Sequence, residues 1–137
     1  LAPLIEQLNS GDVQKRLDAI AAISKERSPD ALRTLIIALQ DKNQNVDVRR
    51  SAADALRGIG TGAEDAIPAL IEALKDKEND KELRRSALMA VRSIDAKPVI
   101  NELIAALDDP DYGVRRYAAE ALQSIREDSK AAVPKLI

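Results

Sequence analysis

Asp108, Asp109 and Asp111 form the densest group of side chains in the chain that could do chemistry. Carboxylates so close in sequence can act as the general acid and the nucleophile or base of glycoside hydrolysis. They also suit a turn that precedes a helix, where carboxylates accept from the unpaired N–H groups of the first turn. Capping is the reading adopted, because equivalent turns elsewhere in the chain use ordinary polar residues. Gly60-Thr61-Gly62-Ala63 lacks the further glycine and the lysine of a phosphate-binding loop and follows a helical pattern instead of a strand, so it reads as a linker. The chain has neither Cys nor His. That excludes disulfides, thiol catalysis and thiolate metal sites, and removes the commonest neutral-pH acid/base and the usual ligands of zinc, copper and non-haem iron. No catalytic residue, no cofactor and no metal is expected, and the chain is read as a non-enzyme. What remains is a recurring pair of arginines: Arg49-Arg50, Arg84-Arg85 and Arg115-Arg116.

The elements that position these arginines follow from self-similarity. Val48 to Ile59 recurs almost position for position as Leu83 to Ile94 and as Val114 to Ile125, with a worn copy from Val13 to Ile23. Ile23, Ile59, Ile94 and Ile125 mark the unit at spacings of 36, 35 and 31 residues, which is a two-helix period. Between the copies lies a second segment, seen as Leu4 to Leu8, Leu35 to Leu39, Leu70 to Leu74 and Leu103 to Leu107, with Leu136-Ile137 beginning a fifth. Leu32, Leu35, Ile36 and Leu39 follow helical spacing. An A helix and a B helix therefore alternate.

Ser10, Asn45, Asp80 and Asp111 each stand three residues before the apolar residue that opens a B helix, and are expected to cap it. Asp12, Asp47 and Glu82 fall in first turns, where negative charge favours the helix dipole. Pro29, Pro68, Pro98 and Pro134 lie at A-helix starts, and Gly60 and Gly62 end the second B helix. Apolar content of 45%, mostly Ala, Leu and Ile, suits close-packed helices, whereas strands would use more aromatic and β-branched residues. One helix pair cannot bury enough surface alone, so the pairs must stack into one continuous core. Residues 1–137 are expected to form a single array of about four pairs plus the start of a fifth, a fragment of a longer chain.

The turn and helix from Asp108 to Leu122 resemble a HEAT repeat. The Val-Arg-Arg-x-Ala-Ala-x-Ala-Leu core looks most like the subclass named after phycobilisome bilin lyases. The resemblance covers the whole chain and implies an all-α, α/α right-handed superhelical solenoid of HEAT-type helix pairs, an armadillo-type fold. Relative to the family, Asn43-Gln44 and Lys77-Glu78 lengthen two turns, and the glycine that often follows the B helix is missing at Asp95 and Arg126. In similar repeats the first arginine of the pair joins a ladder with an Asp before the B helix. Here Arg49 with Asp41, Arg84 with Asp76 and Arg115 with Asp109 would fill those roles.

With Val48 at the centre of a helical wheel, Ala52, Ala55, Leu56 and Ile59 share its face, while Arg50, Asp54 and Arg57 point away. The second arginines Arg50, Arg85 and Arg116 then form a column across the stacked pairs, beside the columns Asp54, Met89, Glu120 and Arg57, Arg92, Gln123. Ion pairs between Arg50 and Asp54 and between Arg116 and Glu120 would make this an ordinary solvated surface. The favoured reading is a surface for a protein partner of unknown identity, on the face that is concave in similar solenoids, with Met89 as its apolar contact. The alternative implied by the resemblance is a subunit of a bilin lyase or other enzyme complex. A third reading, nucleic-acid binding through the arginine column, is disfavoured by the net charge of -2 and the lack of stacking aromatics. The longest stretch free of charged side chains is the seven residues from Thr34 to Gln40, so no membrane span is expected. A cytoplasmic location is the expectation.

Overall fold

In the computed structural model, which describes residues 1–95 and 99–132, the periodic segments form α-helices and no strand occurs among the described residues. The helices are α1 (Ala2–Leu8), α2 (Val13–Ser24), α3 (Pro29–Gln40), α4 (Val46–Ile59), α5 (Ile67–Lys75), α6 (Lys81–Ile94), α7 (Ile100–Ala106) and α8 (Tyr112–Ala132). The odd-numbered helices are the A segments and the even-numbered ones the B segments. Each A helix packs on the B helix that follows it. The B helices also contact one another in succession, α2 on α4, α4 on α6 and α6 on α8, and α3, α5 and α7 form a second layer. Alanines make this approach possible: Ala52, Ala53, Ala87, Ala90, Ala118 and Ala121 are all buried, interleaved with Leu56, Leu88 and Val91.

Leu56, Ala90, Val91, Ile94 and Ala121 are buried in the core, while Ala55, Ile59, Leu122 and Ile125 are half-buried against it. Pro98, Pro134, Leu136 and Ile137 lie outside the described residues.

Helix starts follow local chemistry. Asn45, Asp80 and Asp111 accept from the backbone N–H groups of Asp47, Glu82 and Val114 at 2.8, 2.9 and 3.0 Å. Ser28 accepts from Ala31 N–H above Pro29. The expected cap Ser10 does not cap α2. It accepts from Asp12 N–H, and Asp12 caps the helix through Gln14 N–H. Gly11 occupies the position that would open the helix, and glycine is a poor helix former, so the start moves to Val13. At the other end of α4, Gly60 takes φ +68°, a conformation that glycine adopts without steric cost. α8 runs well past Ile125, since neither Gly nor Pro stands between Arg126 and Ala132 to stop it.

The first arginines do form a ladder, but Arg49 and Arg84 take partners different from those expected. Arg49 donates from Nε to the Leu39 carbonyl at 2.9 Å and from Nη1 to Asn79 Oδ1, in the next pair, at 3.2 Å. Arg84 grips Asp109, also one pair ahead, through two bonds of 3.0 Å, and donates to the carbonyl of Asn79. Arg16 reaches Gln44 in the same way. Asp41 and Asp76 do not meet the arginines: their carboxylates accept from Asn43 and Glu78 N–H in their own turns, and Asp76 lies 3.9 Å from Lys42 of the preceding pair. Arg115 does meet Asp109, but through the backbone carbonyl at 2.9 Å, because the Asp109 carboxylate is already taken. Its oxygens also accept from Lys77 Nζ at 2.9 Å and from Asp111 N–H at 2.9 Å.

Asp109 is 1% exposed, and burial alone would push its carboxyl up. The donors Arg84, Asp111 N–H and Lys77 outweigh burial and hold it below the usual carboxylate range. Removing one member of a buried pair leaves the other charge uncompensated. Asp109→Ala is therefore expected to lower unfolding stability by about 3–5 kcal/mol at neutral pH, read from the urea midpoint. A loss below about 1 kcal/mol would mean that this rung does not hold the third and fourth pairs together.

Candidate functional site

The outward face of the B helices is the candidate site, and the ladder sets its geometry. One residue along a helix turns the side chain by about 100°, so each first arginine lies at the core edge and each second arginine faces solvent. Arg49 and Arg84 are buried, whereas Arg50 and Arg85 are half-buried and Arg116 is exposed.

The second arginines are not equivalent. Arg85 is bound on both sides: Nε and Nη2 donate to the two carboxylate oxygens of Asp111 at 2.6 and 2.7 Å, and Nη1 donates to Glu82 at 2.9 Å. Gly113 permits this arrangement. A Cβ there would collide with the Arg85 guanidinium, and the corresponding positions after the caps of α4 and α6 hold Asp47 and Glu82. Arg116 lies 3.7 Å from Glu120 and places its guanidinium 4.8 Å from the Tyr117 ring. Arg50 forms no ion pair with Asp54, contrary to the helical spacing.

Two further contacts cross between helices. Arg92 donates to Glu120 at 3.1 Å, and the Ser93 hydroxyl donates to the Arg57 carbonyl at 3.0 Å. Arg57, Met89, Arg92 and Ser93 line one depression of about 270 Å³. The structure thus brings together Arg57, Met89 and Arg92, with Glu120 adjoining through Arg92. Arg50, Asp54 and Gln123 lie on the same helices, outside that depression. Arg85 faces the turn before α8. Sequence spacing did not single out Asp111 as a partner of Arg85, nor Ser93 as a wall of the depression. The replacement of an acidic residue by Gly113 is the signal that could have revealed the first. On the opposite layer Ile37 and Ile104 are 59% and 51% exposed.

The Asp111 carboxyl is lowered to about 2, chiefly by the hydrogen bond from Arg85, which outweighs its partial burial, with Val114 N–H assisting. No described helix is long and apolar enough to cross a membrane.

A family model described as HEAT repeats matches residues 1–92 and 76–137. No curated protein sequence matches the chain. Among solved structures, the chain is similar to an engineered protein from the Northeast Structural Genomics Consortium, with 20% identity over 88% of this chain and a TM-score of 0.63. It is also similar to the complex of CpcE and CpcF of phycocyanin lyase from Nostoc, with 24% identity over 87% of this chain and a TM-score of 0.54. The chain spans 60% and 62% of the lengths of these two structures, and the likeness is one of fold.

A carboxyl group depressed on folding stabilises the native state above its ordinary pKa, and that contribution disappears as the pH falls through the folded value. For Asp111 the window runs from the usual 3.8 down to about 2. Urea unfolding measured through this window should fall more steeply for the wild type than for Asp111→Asn. Parallel losses in the two proteins would show that the Arg85–Asp111 bridge adds nothing to stability.

Proposed function

Because the chain belongs to the HEAT-repeat family, we propose that it is a non-catalytic protein-binding scaffold whose B-helix face receives a protein partner. The observation that carries this reading is the depression between α4 and α6, where Arg57, Met89 and Arg92 converge from neighbouring B helices. Side chains far apart in sequence form one surface there because the ladder keeps adjacent pairs in register. Met89 offers an adaptable apolar contact, and the arginines offer planar donors in a fork geometry, a combination that suits the centre of an interface.

The bilin-lyase alternative draws on the sequence resemblance and on a fold-level likeness to a lyase complex. It is the weaker reading because the chain offers no Cys or His for a reacting group. Nucleic-acid binding is weaker again, because two of the three second arginines, Arg85 and Arg116, already face carboxylates within the chain.

Arg92 is exposed and Met89 half-buried in the wall of an open depression, and the Arg92–Glu120 pair is an exposed one of the kind worth under about 1 kcal/mol. The double replacement Met89→Ala, Arg92→Ala is thus expected to leave the thermal midpoint nearly unchanged while reducing affinity capture of the partner severalfold. Unchanged capture by that variant, together with loss of capture on replacing Arg33 and Glu72, would move the binding surface to the A-helix side.

A further inference from the structure

The guanidiniums of the B-helix face differ in what neutralises them, and the difference has a direction. Arg85 is committed to Asp111 and Glu82. Among the described residues, Arg50 and Arg57 have no carboxylate partner. Between these extremes stands Glu120, which accepts from Arg92 of the neighbouring helix at 3.1 Å and lies 3.7 Å from Arg116 of its own. One carboxylate therefore serves two arginines. All three side chains are substantially exposed, at 41% for Arg92, 44% for Glu120 and 51% for Arg116, so these contacts are screened by water and exchange cheaply.

Resting on the reading of this face as the partner surface, we infer that the partner segment is an acidic peptide, and that Glu120 is its intramolecular competitor. A partner carboxylate seated between Arg57 and Arg92 would bond the unpartnered guanidinium and take the place of Glu120 on the other. Glu120 would remain beside Arg116, so no charge is stranded. An apolar side chain next to that carboxylate would lie on the Met89 thioether in the same depression. The depression is lined by Arg57, Met89, Arg92 and Ser93 and by no carboxylate, so a basic segment seated there would meet two guanidiniums with only the flanking Glu120 beside them. Charge complementarity thus selects the acidic partner.

Met89 is the only methionine in the chain, so its methyl resonance is a single reporter placed inside the depression. The probe is a fluorescein-labelled synthetic peptide in which Glu alternates with Leu, compared with the same peptide carrying Gln or Lys in place of Glu. Binding is read by anisotropy, and its location by the methyl shift of Met89. The Glu peptide is expected to bind and to shift Met89. Glu120→Gln should tighten its binding about three- to fivefold, the gain from removing an exposed competing pair, and Arg57→Ala should weaken it by a similar factor. If the Gln or Lys peptide binds as well as the Glu peptide and shifts Met89, the preference for acid is overturned while the B-helix face stands as a binding surface. Failure of Glu120→Gln to tighten binding overturns the competitor role. If the Glu peptide leaves Met89 unshifted, whether it binds elsewhere or not at all, the acidic-partner inference is wrong, and binding elsewhere also removes support for this face.

Discussion

Each helix pair is tied to the next by an arginine at the core edge, half-buried at Arg16 and buried at Arg49 and Arg84, that reaches forward to an acceptor in the following A-to-B turn. The need for it is physical: a pair of helices cannot cover both of its apolar flanks, so cohesion must come from neighbours, and apolar contact alone sets no fine register. A guanidinium with several fixed donors does set it, because its acceptors must lie where the fork points. The acceptors change along the array, from the amides of Gln44 and Asn79 to the carboxylate of Asp109. In the first rung Arg16 leaves a buried Nε without a partner, so the worn first copy is also the least satisfied. The rung at the third junction is ionic, whereas the rung at the first is a hydrogen bond to a neutral amide.

The arginine pair divides structure from surface within two adjacent residues. The same side chain is a buried strut at one position and a solvent-facing donor at the next, because a helix rotates by about 100° between them. The division is incomplete at Arg85. Gly113 opens a path along the start of α8, and Asp111, already a cap, receives the guanidinium as well. One carboxylate thereby ends a turn, starts a helix and fixes the second arginine of the preceding pair. The resulting face is uneven: open at α4 and internally neutralised toward α8. Any partner meets that gradient, not a uniform arginine stripe.

Much of the fold was legible in the chain. The recurrence of Val48 to Ile59, the helical stripes and the caps Asn45, Asp80 and Asp111 depend on local periodicity and on the hydrogen-bonding needs of helix ends, which any reader of one strand of sequence can apply. Where local chemistry competed, the reading slipped. Gly11 moved the α2 cap from Ser10 to Asp12.

The sequence alone determined the helix pairs, the side of each helix that is buried and the separation of first from second arginines, because these follow from rotation per residue and from apolar spacing. It did not determine which acidic residue meets which arginine. Asp41 and Asp76 are as close in sequence as Asp109 is distant, yet they bond backbone N–H groups in their own turns, while Asp109 takes Arg84 from 25 residues away. Such choices depend on how one pair stacks on the next, since the relevant distances cross from pair to pair. The gathering of Arg57, Met89 and Arg92 in one depression is the same kind of fact. Tertiary packing decides it, because only the offset between α4 and α6 determines which outward side chains become neighbours.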